Sequence, residues 1–150
     1  MSLRDIFPLP FFIASDHAGF HLKSHICSYL TEQDVPFHDL GTTSDESVDY
    51  PYYGKLVCDA LLGTQNAAGI LICGTGIGMS MTANRFSHIR AAVCNDGPVA
   101  ASLSRAHNNA NILCLGERLI TPMVAMATLR VFLTTPFEGG RHQRRIDLIS

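Results

Sequence analysis

Residues 69–84 read GILICGTGIGMSMTAN, and this stretch decides the fold. Ile70, Leu71 and Ile72 form a short apolar run of the kind found in a strand covered on both faces. Cys73 stands where that strand ends. Gly74, Gly76 and Gly78 follow at alternate positions, and a helix is expected from near Gly78 to about Arg85. In an open parallel α/β sheet, ligands bind beyond the carboxyl ends of the strands. Glycines at that place let the backbone approach a ligand and present its N–H groups. A thiol delivered there is unusual, so Cys73 leads the candidates for chemistry.

The same alternation extends in both directions. Upstream, Phe11 to Ser15 reads as a strand closed by Asp16, His17, Ala18 and Gly19, followed by a helix over Phe20 to Glu32. Val35 to Leu40 reads as a second strand and Thr43 to Asp49 as a polar loop. Tyr50-Pro51 opens the next helix, because proline suits a first turn, and the helical period holds to Leu62. Downstream, strands are expected at Ile89 to Cys94 and Ile112 to Leu115, the latter ending at Gly116. Helices are expected from Pro98 to about Ala106 and over Pro122 to Leu133, and Phe137 to Ser150 is a basic tail with a last helix. Five β-α units predict a three-layer α/β/α fold with a five-stranded parallel, Rossmann-like sheet. Right-handed crossovers place every strand-to-helix loop on one edge. Those loops carry Asp16, His17, Gly41, Thr42, Cys73, Thr75, Asn95 and Gly116.

With 150 residues, the chain is expected to form a single domain, residues 1–10 being an N-terminal tail. A net charge of −2 argues against a nucleic-acid partner. No apolar run approaches the ~20 residues needed to span a bilayer, so no membrane partner is expected. The apolar IFPLPFFIA is broken by Pro8 and Pro10, and is read as a tail feeding a strand instead of a signal peptide. Five cysteines without a CxxC pair favour reduced, cytoplasmic thiols over a disulfide framework or a zinc site.

Each candidate residue has a plain alternative. Cys73 sits where aligned N–H dipoles favour a thiolate, or else is a small buried apolar residue. Cys27, Cys58, Cys94 and Cys114 fall in helix or strand patterns and read as core. The Gly74, Gly76, Gly78 spacing is neither a dinucleotide fingerprint nor a P-loop. It suits an anion nest for a phosphate or a developing enolate oxygen, or a tight turn without ligand. Asp16-His17 is a charged pair on the ligand edge or a helix cap with a solvated histidine. His107 can move protons at neutral pH or complement a helix dipole. His21 and His25 are spaced for a metal but lack a third ligand, so they read as a solvated face. Arg141 and Arg145 place two guanidinium forks on one helical face, fit for a phosphate monoester or a solvated basic end, and Arg118 adds a third anion contact.

Six segments taken in order resemble ribose-5-phosphate isomerase type B, within the ribose/galactose isomerase family. They are SDHAGFHLK (15–23), VDYP (48–51), GILICGTGIGMSMTANR (69–85), IRAAVC (89–94), LSRAHNNANIL (103–113) and EGGRHQRR (138–145). The resemblance implies a metal-free, cofactor-free aldose–ketose isomerase working through a cis-enediol. On that pattern Cys73 is the base moving a proton between C1 and C2. Thr75 and the amides of Gly74, Gly76 and Gly78 serve the hydroxyls and the enediolate. His107, with Asp16 nearby, opens the sugar ring. Tyr50 and Asn108 bind the sugar, and His17, Arg118, Arg141 and Arg145 hold the phosphate. It further implies a homodimer or tetramer with shared sites, the tail 137–150 at the interface, and the tail arginines and His142 acting in the neighbouring site.

The pattern has departures. Asn109 stands where the family commonly has Asp, so a charge there is lost. Some members use a Glu after the glycine loop as base, whereas Met79 and Met81 here flank Ser80, leaving Cys73. Arg144 matches no fixed position. The chain stops soon after the tail motif, which is expected to shorten the last helix. Two rival readings stay open: an isomerase for allose 6-phosphate or galactose 6-phosphate, and a non-catalytic phosphate- or nucleotide-binding module.

Overall fold

A six-residue strand buried at every position, β3 (Ala68–Cys73), runs through the middle of the sheet. The computed structural model describes Leu3 and residues 10–149. Strands are numbered along the chain. β1 (Phe11–Ser15) and β5 (Ile112–Gly116) flank β3, and β2 (His38–Asp39) and β4 (Ala91–Val93) form the edges in the order β2-β1-β3-β5-β4. Every pairing is parallel, with Ile13 opposite Ile70 and Cys73 opposite Gly116. The helices are α1 (Phe20–Glu32), α2 (Tyr50–Leu62), α3 (Ile77–Ala83), α4 (Pro98–Asn108), α5 (Pro122–Thr134) and α6 (Arg141–Asp147).

Side chains of a strand alternate between its faces, and β3 therefore serves two cores. Ile70 and Ile72 join Ile13, Leu113 and Leu115 under Leu22 and Ile26 of α1 and Leu129 and Phe132 of α5. Leu71 and Cys73 join Ala14 and Cys114 under Val57 and Cys58 of α2 and Met79 of α3. Helices thus cover both faces, and the fully buried apolar run at 70–72 follows from that double cover. No helix among the described residues is long and apolar enough to cross a membrane.

Two edge strands are shorter than their apolar patterns. Val35 is committed to closing α1, its N–H donating to Leu30 O at 2.9 Å, and Pro36 has no N–H for a ladder. Only His38 and Asp39 remain to pair as β2. At β4, Ile89 N–H turns back to Phe86 O and Arg90 N–H goes to Asn111 Oδ1, so regular pairing starts at Ala91. Helix α3 stops at Ala83, short of Arg85. The amide of Asn84 holds both backbone groups of Ala91, at 2.8 and 3.0 Å, and ends the helix. The tail does form a last helix, α6. Of the expected N-terminal tail, only Leu3, buried in the first core, and Pro10 fall within the described residues.

Candidate active site

The carboxyl ends of β1, β3 and β5 lie side by side next to the glycine loop. Cys73 ends β3 with 4% of its surface exposed, facing α2 and α3. The N–H of Gly76 donates to Cys73 Sγ at 3.1 Å. That contact requires Gly76 to be left-handed, at φ 78°, while a Cβ there would stand 3.0 Å from Leu115 C.

Asn95, at the end of β4, clamps the loop from the side. Its Nδ2 donates to Thr75 O and its Oδ1 accepts from Gly116 N–H, both at 2.7 Å. Thr75 lies so close to Gly116 that a Cβ on Gly116 would fall 2.4 Å from Thr75 C. Thr75 Oγ1 accepts from Ile77 N–H at 3.2 Å and helps start α3. The Arg118 guanidinium lies against Gly74, where a Cβ would meet Nη1 at 2.9 Å. The Tyr50 ring lies against Gly78 in the same way, 2.7 Å from such a Cβ. Glycines at 74 and 78 therefore leave room for a guanidinium and a phenol beside the thiol.

Asp16 is buried, and its Oδ1 accepts from Gly19 N–H at 3.1 Å, so the capping reading holds for one carboxylate oxygen. His17 is not freely solvated. Its Nδ1 lies 3.1 Å from Val48 N and 3.2 Å from Val48 O. When Nδ1 accepts from the Val48 amide, the ring proton sits on Nε2.

The remaining candidates are elsewhere in the chain. His107 and Asn108 occupy the last turn of α4, just ahead of β5, which puts them at the amino edge of the sheet. Helix α4 has 11 residues, a rise of about 16 Å. The expected proximity of Asp16 to His107 is therefore not met within one chain. Arg141 and Arg145 of α6 are exposed beside that same turn and make no ion pair with the described residues. His142 is buried, its ring stacked on His107 with centroids 4.3 Å apart at 12°. Glu138 Oε2 stands 3.3 Å from His142 Nε2 and 3.9 Å from His107 Nε2. Among the described residues these three form the one group with metal-ligand spacing. Stacked rings point their nitrogens in parallel planes, which opposes convergence on one ion at about 2.0–2.1 Å. His21 and His25 are exposed and join no such group.

Burial pushes the thiol of Cys27 up to about 11, Cys58 to about 12 and Cys94 to about 11. Asp39 adds to the effect at Cys27, Asp59 at Cys58 and Asp96 at Cys94. Cys114 is pushed well above its ordinary range, again by burial first. Sequence reasoning left Asn95 without a role and passed over Glu117, whose Oε1 accepts from Leu22 N–H at 2.5 Å and caps α1. Their partners lie 20, 21 and 95 residues away, so no local signal marks them.

The chain belongs to the ribose/galactose isomerase family, whose pattern it matches over residues 11–149. Ribose-5-phosphate isomerase B of Escherichia coli is 45% identical over 135 residues, covering 90% of each chain. A ribose 5-phosphate isomerase structure from Thermotoga maritima superposes with a TM-score of 0.91 at 51% identity, covering 94% of this chain and 97% of that one. Ribose-5-phosphate isomerase B from Mycoplasma genitalium, solved with bound ribulose-5-phosphate, superposes with a TM-score of 0.88 at 43% identity, covering 93% of each.

Proposed function

We propose that this protein interconverts ribose 5-phosphate and ribulose 5-phosphate, with Cys73 as the proton-transferring base. One observation carries the assignment of the base: the thiol meets the Gly76 amide at 3.1 Å on the floor of a glycine nest. The likeness to the relatives above supports the substrate. The ring is opened by His107 together with Asp16. Cys73 sulfur then takes the proton from C2 of the open aldose. The C2–H electrons form the C1=C2 bond, and the carbonyl electrons move onto O1. The amides of Gly74, Gly76 and Gly78 and the hydroxyl of Thr75 stabilise that oxyanion, an effect typically worth ~10²–10³-fold for a single donor. The O2 proton is passed to O1, Cys73 returns its proton to C1, and O2 becomes the ketone. Tyr50 and Asn108 hold the sugar. His17, Arg118, Arg141 and Arg145 hold the phosphate, fixing the flexible open chain against the base.

Cys73 and His107 lie at opposite sheet edges, so the working unit is a homodimer or larger. A second copy supplies His107, Asn108 and the tail residues 137–150 to each Cys73 site. Exposed apolar side chains on α4 and α5 suit such a contact, with Val99 74% and Met123 80% exposed. The chain forms one isomerase domain, and its five free cysteines suit a reducing compartment such as the cytoplasm.

The test is conversion of ribose 5-phosphate by the purified protein with EDTA present and no added metal. Rapid formation of ribulose 5-phosphate is expected. Turnover confined to allose 6-phosphate or galactose 6-phosphate would move the substrate to six carbons. Phosphosugar binding without any turnover would leave a binding module.

A further inference from the structure

A cavity of about 690 Å³ opens at the amino edge of the sheet, away from the glycine loop. The loop leading into β3 forms one wall, with Gln65 and Asn66 exposed on it. Arg90, ahead of β4, and Arg105, on α4, form the other. Leu61 and Phe132 supply apolar floor, and among the described residues no aspartate or glutamate lines the space.

The two arginines are half-buried cations with no acidic partner among the described residues. Arg90 Nε donates to Asn109 O at 2.9 Å. Arg105 Nη1 donates to Ala110 O and, at 3.4 Å, to Asn109 Oδ1. Neither makes an ion pair with a described residue. Burial holds both guanidiniums below their ordinary range, and the charge of Arg90 lowers Arg105 further. Elsewhere the fold treats a buried cation differently. Lys23 is 2% exposed and meets both oxygens of Asp39 at 2.7 Å. Burying charge is costly unless it is paired. At the amino edge the described residues supply two cations and the room for a partner, but not the partner.

We infer that this cavity binds a phosphate-bearing small molecule at a second site, separate from the Cys73 site. The two guanidinium forks take the phosphate, because they are bidentate donors with N–H groups left over from Asn109 and Ala110. The organic part lies along Leu61 and the Gln65–Asn66 turn. The inference stands on the cavity and its charges alone and does not depend on the isomerase reading.

Nuclear magnetic resonance of the full ¹⁵N-labelled chain tests it, with inorganic phosphate as the probe at an ionic strength held constant with chloride. Saturable shifts are expected at the Nε–H signals of Arg90 and Arg105 and at the Asn66 amide. Arg90→Gln should weaken that saturation about tenfold or more while leaving the shifts of Gly74 and Gly76 in place. Arg90→Lys, which keeps the charge and loses the fork, should weaken it less and serves if the glutamine variant folds poorly. Shifts that chloride reproduces, no saturable shift at these residues, or equal saturation in both variants would overturn the site.

Discussion

The two edges of one sheet are built on different terms. At the carboxyl edge each backbone turn is closed from within the chain: Asn95 ties the Thr75 loop to β5, Gly76 N–H meets the thiol, and Glu117 caps α1. At the amino edge the charges outnumber their partners. Among the described residues, His142 Nε2 is buried without a hydrogen bond, Glu138 Oε2 standing 3.3 Å away, Arg141 and Arg145 are free of ion pairs, and Arg90 and Arg105 face a cavity without an acid. The carboxyl edge is closed in this way except at Ser15 Oγ, which is buried at the end of β1 without a hydrogen bond among the described residues. The other has groups that call for something outside the chain. A site that needs both edges is therefore a property of an assembly.

The largest expected effect falls on the carboxyl edge. Cys73→Ala should lower kcat by ~10²–10⁴-fold, the usual reach of acid–base catalysis, while phosphosugar binding by calorimetry stays close to that of the parent. Turnover near the parent rate would take the base away from Cys73. The division of labour is sharpened by mixing. Cys73→Ala and His107→Ala chains, each inactive alone, should recover about a quarter of parental activity after exchange of subunits, since half the dimers then hold one intact site. Continued inactivity after confirmed exchange would place both residues in one chain's site.

A smaller effect is expected at the clamp. Asn95→Ala leaves Thr75 O and Gly116 N–H without their 2.7 Å partners and should cost about 1–3 kcal/mol in urea unfolding. It should also lower kcat, because the Thr75 loop loses its tie to β5. Unchanged stability would mean that the loop is held by packing alone. The smallest effect concerns the buried thiols. Cys27, Cys58 and Cys94 ionise near 11–12 when folded, against an ordinary 9.0. Above pH 9 the unfolded chain loses those protons and the folded chain keeps them, so the unfolded state binds fewer. Stability is then fully present below pH 9 and falls as pH rises through the folded values, by at most about 1.4 kcal/mol per pH unit for each thiol. Cys27→Ser, the half-buried case, should flatten that fall in melting curves taken from pH 9 to 11.

The carboxyl edge was legible because its signals are local. A buried apolar run, a cysteine and alternate glycines occupy ten consecutive residues, 69–78, and β-α alternation alone orients the strands. The shortened β2 and β4 were not legible from apolar pattern, since the N–H groups of Val35 and Ile89 are diverted to Leu30 O and Phe86 O, which periodicity does not encode. The position of His107 was implicit: a helix end that feeds a strand must lie at the amino edge. Its pairing with Asp16 was expected from resemblance, and topology separates the two within one chain. Asn95 and Glu117 were hidden for a different reason, because their hydrogen bonds span the chain.

The central strand has one more consequence. Ile70 and Ile72 anchor one core, and Leu71 with Cys73 anchors the other. The amides of such a strand exchange with solvent mainly through global opening, so the thiol keeps its place until the whole sheet melts. The seven-residue α6, with mostly exposed side chains, belongs to the other end of that hierarchy. On warming, the tail is expected to fray first, and under the proposed mechanism activity fades while the strand bearing the thiol is still folded.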